Sequence, residues 1–177
     1  MVIPMNKRTP SRLKPAYLLI AVVSAVGVLA ACSTPTNSAM DDRAAAEHEI
    51  AALMSQQAEA WTRGDAKGYA ETFTDDGALV VFSGDYLKGR PEIESGMARY
   101  FSLYLHGSRI HYDQTLSTDH LDSNTVVMVT RGCVLHSPAE STCAPQNVST
   151  TMNIFHRESV GWKYAAFENT RYQPIPT

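Results

Sequence analysis

Apolar residues recur at helical spacing over 41–63, where Ile50, Leu53, Met54, Ala58 and Trp61 mark one face, acids open the segment and Gly64 closes it. That pattern predicts a long amphipathic helix. Asp65 is placed to cap a second, short helix running to residue 73, with Tyr69 and Phe73 four apart on one side. Asp75-Asp76-Gly77 reads as a turn into an apolar, β-branched run at 78–83, and Gly84-Asp85 as a hairpin turn into 86–88. Helical spacing returns after Arg90. Pro91 suits the first helical position, Glu92 and Glu94 suit the positive end, and Ile93, Met97, Tyr100, Phe101 and Tyr104 form the apolar stripe. After Gly107 the period changes to that of strands at 109–116, 125–135, 148–157 and 162–170, separated by turn-rich segments. Helices first and strands last predict an α+β domain, with helices covering one face of a curved antiparallel sheet.

The chain ahead of this domain has a different pattern. Lys7, Arg8, Arg12 and Lys14 precede an uncharged run at 16–31. This is the order of a secretory signal, and the run is shorter than the roughly 20 residues a membrane-spanning helix needs. Leu29-Ala30-Ala31-Cys32 resembles the bacterial lipobox, in which the cysteine thiol takes a diacylglycerol and becomes the first residue of the mature protein. The expected organisation is a signal peptide over 1–31, a polar tether over 32–42 from lipidated Cys32, and one domain over 43–177. Two acyl chains suffice for stable anchoring. Ser33 after the cysteine resembles the signal for the outer membrane, so the expected address is the cell envelope, on the periplasmic side of the outer membrane in a diderm host.

Charge and cysteines narrow the partners. Setting aside the four leader cations takes the net charge from −3 to −7. An acidic domain without a basic stripe has no electrostatic footprint for phosphate backbones, so no nucleic-acid partner is expected. Cys133 and Cys143 are the cysteines left besides Cys32, in a compartment that permits disulfides. They read as a bonded pair closing a short loop, worth roughly 3 kcal/mol on a chain-entropy basis. The alternatives are two free thiols or, with His136 between them, a zinc site that lacks a convincing fourth ligand. No metal and no cofactor are expected: there is no Gly-rich dinucleotide loop after a strand, no redox Cys-x-x-Cys, and the histidines form no spaced set.

The local wording resembles a known superfamily. Ala60-Trp61-Thr62-Arg63-Gly64-Asp65, then Tyr69, Phe73-Thr74-Asp75-Asp76-Gly77-Ala78, Lys88-Gly89-Arg90-Pro91-Glu92-Ile93, Thr151-Met152-Asn153-Ile154-Phe155-His156-Arg157 and Ala165-Ala166-Phe167-Glu168-Asn169-Thr170-Arg171-Tyr172 are similar to the nuclear-transport-factor-2-like proteins, and more narrowly to the SgcJ/EcaC branch of the SnoaL-like group. The resemblance implies a cystatin-like cone whose sheet curls around a pocket roofed by helices. It also implies a second copy packed on the open sheet face as a homodimer. It does not choose a reaction, because the shell hosts isomerases, cyclases, hydrolases and plain binding modules.

Candidate chemistry therefore rests on individual residues. In steroid-isomerase relatives a carboxylate on the strand after the Asp-Asp turn is the base, but 78–83 holds no acid and Asp85 falls in a turn. Glu168, in apolar company where SnoaL-like cyclases also place an acid, is the candidate catalytic carboxylate, and His111 a candidate base. Tyr69, Tyr86, Phe101, Tyr112 and Asn169 are candidate ligand contacts, aromatic surface with a few polar atoms for a small hydrophobic molecule. Each has a plainer reading as core or solvated strand residue. Two functions are open, an anchored binding module or an enzyme doing acid/base chemistry on a hydrophobic, polyketide-like substrate.

Overall fold

The structure, a computed structural model, describes residues 35–173. Cys32, the leader and the start of the expected tether lie outside the described residues. Helix α1 spans Pro35–Thr62, so it begins six residues before the expected start and takes in most of the segment read as a polar tether. Pro35 sits in the first turn, where its missing N–H costs nothing, and no glycine or proline interrupts the later turns. Ala46, Ile50, Leu53, Gln57 and Ala60 form the buried face, alternating steps of four and three. Gly64, at φ +65°, ends the helix in a left-handed turn that only glycine adopts without strain. Asp65 then accepts from the Gly68 N–H at 2.8 Å and caps helix α2, Ala66–Ala70.

Strand β1, Phe73–Val80, corrects two expectations. Phe73 begins the strand instead of ending the helix, and Asp75-Asp76-Gly77 lies inside the strand as an irregularity between the pairings of Phe73 and Ala78. Tertiary contacts override the local turn signal. Phe73 stacks between Tyr69 at 5.7 Å and Tyr164 at 5.3 Å, while Arg90 holds the irregular stretch through Asp75 at 2.8 Å and the Phe73 carbonyl at 2.7 Å. Val81, Phe82 and Ser83 lie beyond the strand. The hairpin turn comes next as expected, with Gly84 at φ +88° leading into β2, Tyr86–Lys88. Helix α3, Gly89–Leu103, places Pro91 in its first turn, and Glu92 accepts from the Lys88 N–H at 2.9 Å. It buries Ile93, Met97 and Phe101.

Four long strands complete the fold: β3 Arg109–His120, β4 Thr125–Leu135, β5 Ser149–Glu158 and β6 Gly161–Arg171. Spatial order is β2-β1-β6-β5-β4-β3. Neighbours are antiparallel except β1 and β6, which run parallel and correct the expectation of an all-antiparallel sheet. Hairpins enforce the antiparallel pairs, but β1 and β6 are joined through the whole intervening fold, so no turn dictates their direction. Register shifts in β3, at Tyr112/Gln114 and Thr115/Ser117, and at Ile154/Phe155 bend the sheet, as bulges do. The core fills the concave face beneath the helices.

Cys133 and Cys143 form a disulfide. It joins β4 to the loop after it, six residues short of β5, instead of bridging two strands. Closing so short a loop is expected to contribute about 3 kcal/mol, so the Cys133→Ser/Cys143→Ser variant should unfold at lower urea by that margin. Equal midpoints for the two proteins would show that the bridge contributes nothing.

Candidate functional site

A cavity of about 420 Å³ lies between the helices and the concave sheet face. That is the size range of small-molecule sites. All three helices and every strand except β2 supply part of its wall. Trp61 comes from α1, Tyr69 from α2, Met97 and Tyr100 from α3, and Leu79 from β1. The sheet contributes Tyr112, Thr130, Thr151, Phe167 and Asn169. The indole of Trp61 donates to Ser108 Oγ at 2.9 Å, and Ser108 in turn donates to the Leu105 carbonyl at 2.7 Å. The ring also meets the edge of Phe101 at 5.5 Å. Its face is thereby locked in place as a flat apolar wall.

The cavity floor is where the polar groups gather. Thr130, Thr151 and Asn169 stand side by side on β4, β5 and β6, because the register pairs Thr130 with Thr151 and Thr151 with Asn169. The two threonine hydroxyls bond at 2.7 Å, and the buried Asn153 amide donates to Thr151 at 3.2 Å and to the Met128 carbonyl at 3.1 Å. Asn169 Oδ1 is buried without a hydrogen-bond partner.

Three tyrosines converge beside this floor. Burial raises Tyr112 to about 12, a rise the neighbouring Tyr164 hydroxyl partly offsets. Burial likewise holds Tyr69 and Tyr164 well above the ordinary phenol value, reinforced by the adjacent Tyr112. All three are neutral at physiological pH. At the mouth, Tyr100 donates to Asp85 at 2.5 Å and Arg99 stands 3.8 Å from the same carboxylate. Partial burial, then Asp85, raises the Tyr100 phenol.

The structure sorts the candidates. Tyr69, Tyr112 and Asn169 line the cavity. His111 lines it as well, paired with Cys133 on the strand parity opposite Ile110 and Tyr112. Glu168 does not line the cavity. Phe167 and Asn169 on either side point inward, which sends Glu168 to the other face beside exposed Met152, where it accepts from the Thr170 hydroxyl. Apolar sequence neighbours gave a false signal, because on a strand they face the opposite way. Phe101 is core, packed behind Trp61 and Tyr69. Tyr86 is 59% exposed on the edge strand and borders a shallower cleft with Leu87 and Pro91. Asp85, read as a solvated turn residue, sits at the cavity mouth. Thr130 and Thr151 were not legible as site residues, since only cross-strand register makes them neighbours.

A helix-roofed cavity on a bent six-stranded sheet is accompanied by a matching sequence pattern, that of the SnoaL-like domain, over residues 42–168. The chain belongs to the SnoaL-like domain family. No curated protein matches it. Among solved structures this SnoaL-like chain is similar to a domain of unknown function with a cystatin-like fold from Nostoc punctiforme, at 25% identity and a TM-score of 0.65 over 74% of this chain and 80% of that one. An NTF2-like protein with a cystatin-like fold from Novosphingobium aromaticivorans gives 20% identity and a TM-score of 0.66, over 81% and 94%. A protein from Catenulispora acidiphila solved in complex with S-DNPA gives 20% and 0.61, over 72% and 94%. The α+β cone expected of the SnoaL-like family is therefore the fold of this chain.

Proposed function

We propose that this SnoaL-like domain is a binding module that encloses a small, largely apolar or aromatic molecule, held at the cell envelope by a lipid on Cys32. The observation that carries the first half is the cavity itself: aromatic walls from Trp61, Tyr69 and Phe167, with few polar groups, all on the concave face. A catalytic reading needs a titrating acid or base aimed at the ligand. Glu168 lies off the cavity and His111 sits on the strand parity opposite Tyr112, which favours binding without turnover. The Catenulispora acidiphila protein, solved in complex with S-DNPA, offers a structural parallel for an occupied member of the fold.

N-phenyl-1-naphthylamine, a neutral aromatic dye that brightens in apolar surroundings, is expected to bind saturably with micromolar affinity and to quench Trp61. The other tryptophan, Trp162, is buried beneath Arg157 and does not line the cavity, so a Trp162→Phe variant isolates the signal. Absence of saturable binding would sink the reading. The anchor rests on the lipobox-like Leu29-Ala30-Ala31-Cys32 and has its own test. Cys32→Ala is expected to release the protein from membranes or to block its processing, and a variant still membrane-bound after a carbonate wash would refute the lipid attachment.

A further inference from the structure

We propose that Thr130, Thr151 and Asn169 form a specificity subsite for one neutral hydroxyl group on an otherwise apolar ligand, which selects hydroxylated aromatic molecules over both bare hydrocarbons and carboxylates. The inference rests on the binding-module reading and goes beyond it in naming what the ligand carries and which residues select it.

Proton counting on the cavity floor supplies the argument. The Asn153 amide has two hydrogens, and both are committed, one to the Met128 carbonyl and one to Thr151 Oγ1. The amide is oriented by the carbonyl, which can only accept. Thr151 therefore receives a hydrogen from below, and the Thr130–Thr151 bond at 2.7 Å consumes one of the two hydroxyl protons. Whichever threonine donates in that bond, one hydroxyl proton is left over, and neither threonine makes a further hydrogen bond among the described residues, while Asn153 Oδ1 below is itself buried without a partner. Thr130 is only 2% exposed and both threonines line the cavity, so bulk water is a poor substitute. One strand further, Asn169 Oδ1 is buried and unpaired. A buried polar group without a partner costs free energy comparable to a lost hydrogen bond, and this floor holds a spare donor next to a spare acceptor.

A hydroxyl group is the smallest function that satisfies both, accepting from the threonine pair and donating to Asn169. A bare hydrocarbon satisfies neither. A carboxylate accepts but does not donate, and it would bring a charge into a floor without a cation. Arg99 is beside Asp85 at the mouth, and Arg131, next to Thr130 in sequence, has the opposite strand parity and does not line the cavity.

Naphthalene, 2-naphthol and 2-naphthoate share one ring system and differ in this function, so their dissociation constants, read by displacement of N-phenyl-1-naphthylamine at neutral pH, test the subsite. In the wild-type protein 2-naphthol is expected to bind at least about tenfold more tightly than 2-naphthoate. The Thr130→Val/Thr151→Val variant keeps shape and removes the hydroxyls; it is expected to weaken 2-naphthol about tenfold while leaving naphthalene unchanged or tighter. Asn169→Leu provides a second measurement on an independent strand, should the double variant not fold. If naphthalene and the dye bind but 2-naphthol responds to neither variant, the subsite is overturned and the binding module stands. Equal affinity for 2-naphthol and 2-naphthoate would overturn it as well. If none of the probes binds, both proposals fall together.

Discussion

Between pH 10 and pH 12 the domain is expected to unfold cooperatively. Tyr69, Tyr112 and Tyr164 are neutral and buried, and burial is the first cause of the raised value in each. In the unfolded chain each phenol loses its proton near 10, whereas in the folded chain Tyr112 holds it to about 12 and the other two at least as firmly. The unfolded state thus binds fewer protons than the folded state above pH 10, and stability falls as pH rises. The contribution is fully present below pH 10 and is lost toward the folded-state values. Three such groups give a slope of about 4 kcal/mol per pH unit, or roughly 8 kcal/mol by pH 12, comparable to the whole stability of a domain of this size. Circular dichroism and tyrosinate absorbance should therefore change together, with three of the seven tyrosines that follow the leader ionising only as the fold is lost. Smooth ionisation of every tyrosine near pH 10 with the circular dichroism intact would disprove the buried cluster.

Gly132→Ala is expected to be the most damaging single methyl that can be added to the sheet. A Cβ at this position would lie 2.3 Å from the His111 carbonyl oxygen and 3.3 Å from Tyr112 Cα, both backbone atoms of the adjacent strand. A flexible side chain could swing away; a hydrogen-bonded strand cannot without breaking its register. The glycine sits where β3 bulges between Tyr112 and Gln114, and the close approach it permits aims Tyr112 at the cavity. Destabilisation of about 3 kcal/mol or more is expected, read as a lower urea midpoint, and the displaced Tyr112 should weaken dye binding in whatever fraction still folds. A variant within about 0.5 kcal/mol of wild type would mean that β3 has room the geometry denies.

Much of the architecture was legible because it depends on near neighbours in the chain. Periodicity located three helices and the long strands, and the pattern at 125–135 coincides with β4. Gly64, Asp65 and Pro91 acted as stop, cap and start through backbone chemistry that needs no distant partner. Boundaries failed where a distant contact outweighed a local preference. Phe73 left the helix because a stack with Tyr164 and a parallel pairing with β6 were available, and that parallel pairing was itself unreadable, since nothing adjacent in the chain determines it.

The candidate site divides along the same line. Tyr69 and Tyr112 could be nominated by residue type, an aromatic body with a polar tip. Tyr69 is turned inward by the packing of α2, whereas the inward direction of Tyr112 and the outward direction of Glu168 are set by strand parity counted from bulges that leave no mark in composition. Thr130, Thr151 and Asn169 are ordinary strand residues in the sequence, each separated from the next by 18 residues or more. The sequence by itself determined that this chain builds a helix-covered curved sheet with aromatic side chains to spare, because hydrophobic periodicity and turn chemistry act over a few residues. Which side chains meet on the cavity floor was decided only by the tertiary structure, because register across three strands is a collective property of the sheet and no local stretch encodes it.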